Sequence, residues 1–176
     1  MARPSDTKQR ILDVARELFV QQGVQKTSLQ EIADQLGITK PALYYHFASR
    51  EDLVRTILQP LIDGGEDFLV RHEAQPEEAR ALLEGYFDFH YEHRAELNVV
   101  LSDLTMLTEL GLVEMVVAWR DRLTKLLMGS SPTLAEATRA VVAIGGLQDC
   151  TIQFPDVPRD ELREAAVNAA LGALGR

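Results

Sequence analysis

Residues 37–47 read GITKPALYYHF, a stretch that holds three aromatic rings, a lysine, a histidine and a threonine. These side chains donate hydrogen bonds and stack; they are poor material for bond making. On a helical wheel Leu43 and Phe47 share one face, Pro41, Ala42 and Tyr45 lie opposite, and Lys40, Tyr44 and His46 flank them. An outward face with two small residues and one long tyrosine, edged by donors, suits entry into a DNA major groove with phosphates on both sides. Two blander readings stand beside it. Tyr44 can simply pack between helices, and exposed aromatics can belong to a protein–protein patch.

Helices must position this stretch. Ile11, Ala15, Leu18, Phe19 and Gln22 fall at helical spacing, with Gly23 as the stop. Leu29, Ile32, Ala33 and Leu36 repeat as one buried face. Thr27 and Ser28 precede it, with Gln30 and Glu31 three residues on, so either pair makes a capping box. Gly37 breaks that helix, and the next begins at Thr39 or Lys40 with Pro41 in its first turn. The turn between them is as short as a helix-turn-helix requires. Ser49 to Asp52 start a further helix through Leu53, Val54, Ile57 and Leu58, with acidic residues at its positive end and a bend expected at Pro60. No segment alternates with period two, so the fold class read here is all-α.

Charge divides the chain. The net charge is −9 over 176 residues, which taken whole argues against nucleic acid. The first 60 residues carry a net charge of only +1, and the remainder carries −10. A near-neutral head on an acidic body implies two tasks. No apolar run approaches the roughly 20 residues that span a bilayer, the N-terminus lacks an apolar signal core, and the only cysteine is Cys150. A cytoplasmic protein without intrachain disulfide or membrane association is the expectation.

The remainder reads as a helical body. Residues 75–93 form an expected helix with Leu82, Leu83, Tyr86, Phe89, His90 and His93 facing inward. Leu97, Val100, Leu101 and Leu104 form a following face, and Leu112, Met115, Val116, Trp119, Leu123, Leu126 and Leu127 a long stripe. His90 and His93, at i and i+3, can offer two metal ligands, but no third is evident, so no metal or other cofactor is expected. Hydrogen-bonded histidines in a pocket wall fit better. Leu134, Val141, Val142, Ile144 and Gly145 share a helix after Pro132. Leu162, Ala166, Ala169, Ala170 and Ala173 share the last one, a small-residue stripe that packs either within its own chain or across a two-fold axis as half of a four-helix interface. No Ser-His-Asp set, Gly-rich phosphate loop or paired carboxylates point to an enzyme.

The run of residues from Asp6 to Leu58 resembles the N-terminal domain of the TetR family of transcriptional repressors. It does so through Ile11, Ala15, Leu18, Phe19 and Gly23, followed by TSLQEIADQLGITKPALYYHFASREDLV. Arg50 stands where the family more often has lysine, and Pro41-Ala42 where Gly-Thr or Pro-Thr is common. The resemblance implies a three-helix DNA-binding head, residues 1–52, on a helical effector-binding and dimerisation body, residues 53–176. It implies a homodimer on a palindromic double-stranded operator, released by a small-molecule effector. Thr27 or Ser28 would touch phosphate. Thr39, Lys40, Ala42, Tyr44, Tyr45 and His46 would form the recognition surface, with Arg50 on the backbone. An effector pocket would draw on Tyr86, Phe89, His90, Met106, Met115 and Trp119, each of which can equally be plain core. The alternative is a helical metal- or ligand-binding protein, or an enzyme, with a vestigial helix-turn-helix.

Overall fold

The computed structural model describes residues 4–176, which form ten helices and no strand. They gather into two compact units. The first holds the chain through Leu61 together with Ala95–Leu112; the second holds Ile62–Arg94 and Val113–Arg176. These units do not part at the expected boundary of residue 52. The chain leaves the first unit within a helix, and a later segment returns to it. Among the described residues, no helix is long and apolar enough to cross a membrane.

In the first unit α1 (Pro4–Gln22) packs against α2 (Leu29–Leu36), and α2 against α3 (Lys40–His46). Ser28 caps α2: its hydroxyl accepts from the Glu31 N–H at 3.1 Å, and the Glu31 carboxylate accepts from the Ser28 N–H at 2.7 Å. Of the two capping boxes open to the sequence, this one forms. Gly37 ends the helix at φ +65°, a left-handed conformation that a β-carbon would strain. The Gly37 and Ile38 N–H groups then donate back to Asp34 and Ala33 carbonyls. Thr39 caps α3 by accepting from the Ala42 N–H at 3.3 Å. Seven residues cannot hold a helix alone. Leu43 and Phe47, both fully buried, fasten α3 to a core that includes Ile11, Ala15, Phe19, Ile32 and Ala33.

The helix α4 (Arg50–Ala74) carries Pro60 in its interior. Its N-terminal half contributes Leu53, Val54, Ile57 and Leu58 to the first unit's core. The returning segment includes α6 (Arg94–Ser102) and α7 (Thr105–Glu109). It buries Leu97, Val99, Met106 and Leu110, while Leu101 and Leu104 stay exposed. The expected Leu97–Leu104 face therefore fails at its second half. Asp103 accepts from the Thr105 N–H and starts a new helix, so the period does not continue past Ser102.

The second unit packs α10 (Arg159–Leu174) on α9 (Leu134–Gln153) and α5 (Ala79–Glu92), with α8 (Val113–Met128) against α9. Pro76 biases Gln75 away from helix, and α5 starts at Ala79 instead of Gln75. Its buried side includes Phe87, which the expected face omitted; Phe89 and His93 are only half-buried. Leu162, Ala166 and Ala170 lie in the chain's own core, whereas Ala169 is exposed and Ala173 half-buried. The small-residue stripe thus divides between two faces of α10. On α9 Ile144 is buried, and Leu134, Val141 and Val142 face outward. Gly65 of α4 lies under the Trp119 ring; a β-carbon there would stand 2.4 Å from it.

Phe47→Ala is expected to cost the head about 3–5 kcal/mol, the range for removing a buried aromatic ring. Chemical denaturation followed by far-ultraviolet circular dichroism checks this.

Candidate functional site

The recognition face follows from the phase that Leu43 and Phe47 impose. Tyr45 is 84 % exposed and Tyr44 46 %. Thr39 and Lys40 are exposed, and Ala42 and His46 half-exposed. Tyr45 meets the His46 ring edge-on at 5.3 Å, and the Lys40 ammonium lies 5.8 Å from the Tyr44 ring centre. Beside this face is an open cleft of about 310 Å³. Its lining includes Ser28, Leu29 and Gln30 from the start of α2, Ser49, Arg50 and Glu51 from the start of α4, and Lys40 and Tyr44. Two serine-capped helix N-termini, with their positive dipole ends, open onto one concavity next to an ammonium and a phenol. That is chemistry for a phosphate oxygen.

Two expected contacts change roles. Thr27 is 1 % exposed. Its hydroxyl donates to the Gly23 carbonyl at 2.9 Å and accepts from the Gln22 side-chain amide at 3.2 Å. A threonine in a turn satisfies nearby backbone first, so Thr27 holds the α1–α2 connection, and of the pair only Ser28 reaches solvent. Arg50 donates to the Gln25 carbonyl at 3.1 Å and to the Gln25 side-chain oxygen at 2.9 Å. Its guanidinium braces the same connection, leaving Lys40 as the exposed cation of the recognition helix. Sequence reasoning missed the convergence of Ser49 with Ser28, which lie on different helix starts and line the same cleft.

Residues 11–57 match the family model described as bacterial regulatory proteins, tetR family. Over 52 residues the chain is 54 % identical to the HTH-type transcriptional regulator AcrR of Shigella flexneri, covering 30 % of this chain and 24 % of that protein. Over 98 residues it is 35 % identical to the HTH-type transcriptional activator FasR of Mycolicibacterium smegmatis, covering 53 % of this chain and 44 % of the relative. The matches span less than half the length of either curated relative. Among solved structures, the TetR-family transcriptional regulator PfmR of Thermus thermophilus aligns with a TM-score of 0.66 at 28 % identity, over 95 % of this chain and 100 % of that one. The first third of the chain is thus similar to the N-terminal DNA-binding domain of the TetR family.

The six pocket candidates are divided between the two units. Met106 belongs to the first unit, where it lines a small crevice with Val24, Arg50, Val54 and Leu110. It serves the core around the head. In the second unit Tyr86 and His90 are buried and meet edge-on at 4.3 Å. Phe89 contacts His90 at 4.9 Å and stacks on Phe68 at 6.1 Å. Trp119 covers Gly65 and donates its indole N–H to Glu66 at 3.0 Å. Met115 is half-buried. Beside Phe89 lies an open groove of about 720 Å³ between α4 and α5, walled by Asp67, Glu84, Asp88 and Glu92 and floored by Phe68. Arg163 already pairs with Glu84 and Asp88 there.

His90 and His93 do not recruit a third ligand: among the described residues, no group of three or more His, Cys, Asp or Glu is placed to hold a metal. Burial, reinforced by the charge of Arg120 and by His93, pushes His90 down to about 3, and burial raises the Tyr86 phenol above its ordinary value. Both are neutral in the folded protein at ordinary pH. Arg122 bridges Glu66 at 2.8 Å and Glu73 at 2.6 Å, and its hydrogen bonds hold both carboxyls below their usual range. This ties α8 to α4 within the unit.

Between about pH 6.5 and pH 3 the unfolded chain protonates His90 while the folded chain does not. Stability contributed by this residue is therefore full above about pH 6.5 and falls as pH drops through that window. The limiting slope is about 1.4 kcal/mol per pH unit. His90→Phe is expected to flatten that part of the profile, measured as unfolding free energy from about pH 7 to about pH 4 against the parent chain.

Proposed function

We propose that this protein is a dimeric transcriptional regulator that represses from a palindromic operator and is released by a small-molecule effector. The observation that carries the reading is the recognition helix: Leu43 and Phe47 are sealed in the core while Tyr45 and Lys40 face solvent beside a cleft built from two helix N-termini. The family match over residues 11–57 supports it, as does the naming of matching proteins as transcriptional regulators. In this reading Ser28, Thr39, Lys40, Tyr44 and His46 position the head on phosphates and groove edges, and Ala42 and Tyr45 read bases. With a head so close to neutral, helix termini and neutral hydroxyls supply much of the backbone contact.

A helix of seven residues reads few base pairs, so two heads are needed. The outward faces of α9 and α10, with Val141 and Val142 exposed on one and Ala169 on the other, offer apolar, closely approachable surface for a second copy. A two-fold dimer mirrors itself on inverted half-sites.

Effector control in this reading works through the segment Ala95–Leu112. It emerges from α5 and re-enters α8, yet it packs in the head's own unit. Glu96, buried, pairs with Arg16 of α1 at 3.3 Å. Gln25 donates to the Glu109 carboxylate at 2.9 Å, and Arg55 donates to the Leu110 carbonyl at 3.2 Å. An effector that moves either end of this segment pulls on the head through these bonds, to the extent that it binds the two states differently.

DNA selected from a random pool by the purified protein tests the reading directly. Tyr45→Ala is expected to weaken binding to the selected site at least tenfold with a change in unfolding free energy under about 0.5 kcal/mol, as for an exposed residue. Ala169→Arg is expected to leave the monomer folded and to abolish both the dimer in light scattering and the shifted DNA band. Ala170→Arg, at a buried position, is expected to unfold the body instead. A folded, monomeric Ala169→Arg protein that binds the site as before would overturn the paired-head mechanism.

A further inference from the structure

At the edge of the second unit's core, polar groups from three helices converge. There α5 supplies Tyr86 and His90, α8 supplies Arg120 and α9 supplies Gln148. His90 is 6 % exposed and its Nδ1 atom reaches no hydrogen-bond partner. The Tyr86 hydroxyl donates to Gln148 Oε1 at 3.5 Å, and Arg120 Nη2 donates to the same oxygen at 3.4 Å. Both contacts sit at the outer limit of hydrogen-bond geometry. One amide oxygen thus serves two donors from two helices, and a third polar atom nearby has nothing. Arg122 and Arg163 of the same unit are each held by carboxylates. Among the described residues Arg120 pairs with no carboxylate; its guanidinium is bonded only to Gln148.

We propose that Arg120, Gln148, Tyr86 and His90 form the head-group end of the effector site, and that the effector is an amphipathic organic acid bound there by its carboxylate. The inference rests on the ligand-responsive reading above and names the ligand class that reading leaves open. A carboxylate brings a negative charge and about four acceptor sites. Those match the guanidinium, the phenol O–H, the amide N–H and an imidazole N–H. A cation would face Arg120 unfavourably, and a neutral hydroxyl or carbonyl would leave most donors unmet. Exchanging two long contacts for charge-assisted ones favours the bound state. The groups next to the cluster are apolar: Phe89 lies against His90, Phe68 against Tyr86, and Trp119 precedes Arg120 on α8. They suit a hydrocarbon tail. Neutrality of His90, a consequence of its burial beside Arg120, keeps its ring a dipolar partner that adds no competing charge.

Trp119 is the only tryptophan in the chain and adjoins Arg120, so its fluorescence reports on the site. The full-length protein is titrated with octanoate, and with octan-1-ol and octylamine as neutral and cationic controls of equal tail length. Octanoate is expected to give a saturable change, with each control at least tenfold weaker. Arg120→Gln, at an exposed position outside the core, is expected to weaken octanoate at least tenfold and leave octanol unchanged, with partial recovery in Arg120→Lys. Tyr86→Phe is expected to weaken octanoate less. Equal binding of octanol or octylamine, no saturable octanoate signal, or an Arg120→Gln protein that binds octanoate like the parent overturns the carboxylate assignment. Release of the selected DNA is measured in parallel with all three compounds. Release by octanol or octylamine but not octanoate overturns the ligand class and keeps the ligand-responsive reading. Arg120-dependent octanoate binding with no effect on DNA upholds the anion site and overturns its role as effector site.

Discussion

The burial of Leu43 and Phe47 is the constraint on which the head depends. A helix of seven residues forms in water only if tertiary contacts hold it, and these two side chains, one turn apart, are the ones that do so. Because they are sealed, the phase of α3 is set, and every other residue on it inherits its direction. Tyr45 must point away and Lys40 and Tyr44 must lie at the edge. The same burial carries Phe47 to the end of α3, and shortly afterwards Ser49 starts α4, bringing that N-terminus beside the capped start of α2. The cleft that can take a phosphate is a by-product of packing two apolar side chains.

Polar groups in the head divide by how local their partners are. Ser28 and Thr39 satisfy the helix starts next to them, and their hydroxyl hydrogens remain to be donated outward. Thr27 and Arg50, which look equally ready for phosphate, are drawn inward to the α1–α2 connection. A short hydroxyl beside free carbonyls and a long guanidinium opposite a turn both find protein acceptors before they find solvent. The head therefore presents fewer free cations than its sequence suggests, consistent with its near-neutral charge.

In the body the arrangement of charge is equally selective. Arg122 and Arg163 each bridge two carboxylates from other helices, which fixes helix positions at surfaces where a single exposed pair would contribute little. Arg120, just before Arg122 on α8, instead shares the Gln148 amide oxygen with the buried phenol of α5. Neighbouring arginines on one helix thus have different tasks, because nearby helical positions face different neighbours.

What the sequence determined by itself was local. Helical periods, the Gly37 stop, a capping box at Thr27–Gln30 or Ser28–Glu31, and the inward phase of Leu43 and Phe47 are encoded in residues at most a few positions apart, and were legible to that extent. The all-α class and the family resemblance of the first third followed from the same local signals. Tertiary structure decided what depends on distant pairs. It placed Met106 with the head, because Ala95–Leu112 finds its partners in the first unit. It divided the small-residue stripe of α10, because Leu162, Ala166 and Ala170 join the core formed with α5 and α9 while Ala169 stays exposed. It also brought Arg120 and Gln148 to Tyr86 and His90. Periodicity shows that a face is apolar, but not which face it meets, since alternative partners of similar hydrophobicity differ only in shape and in the polar groups at their edges.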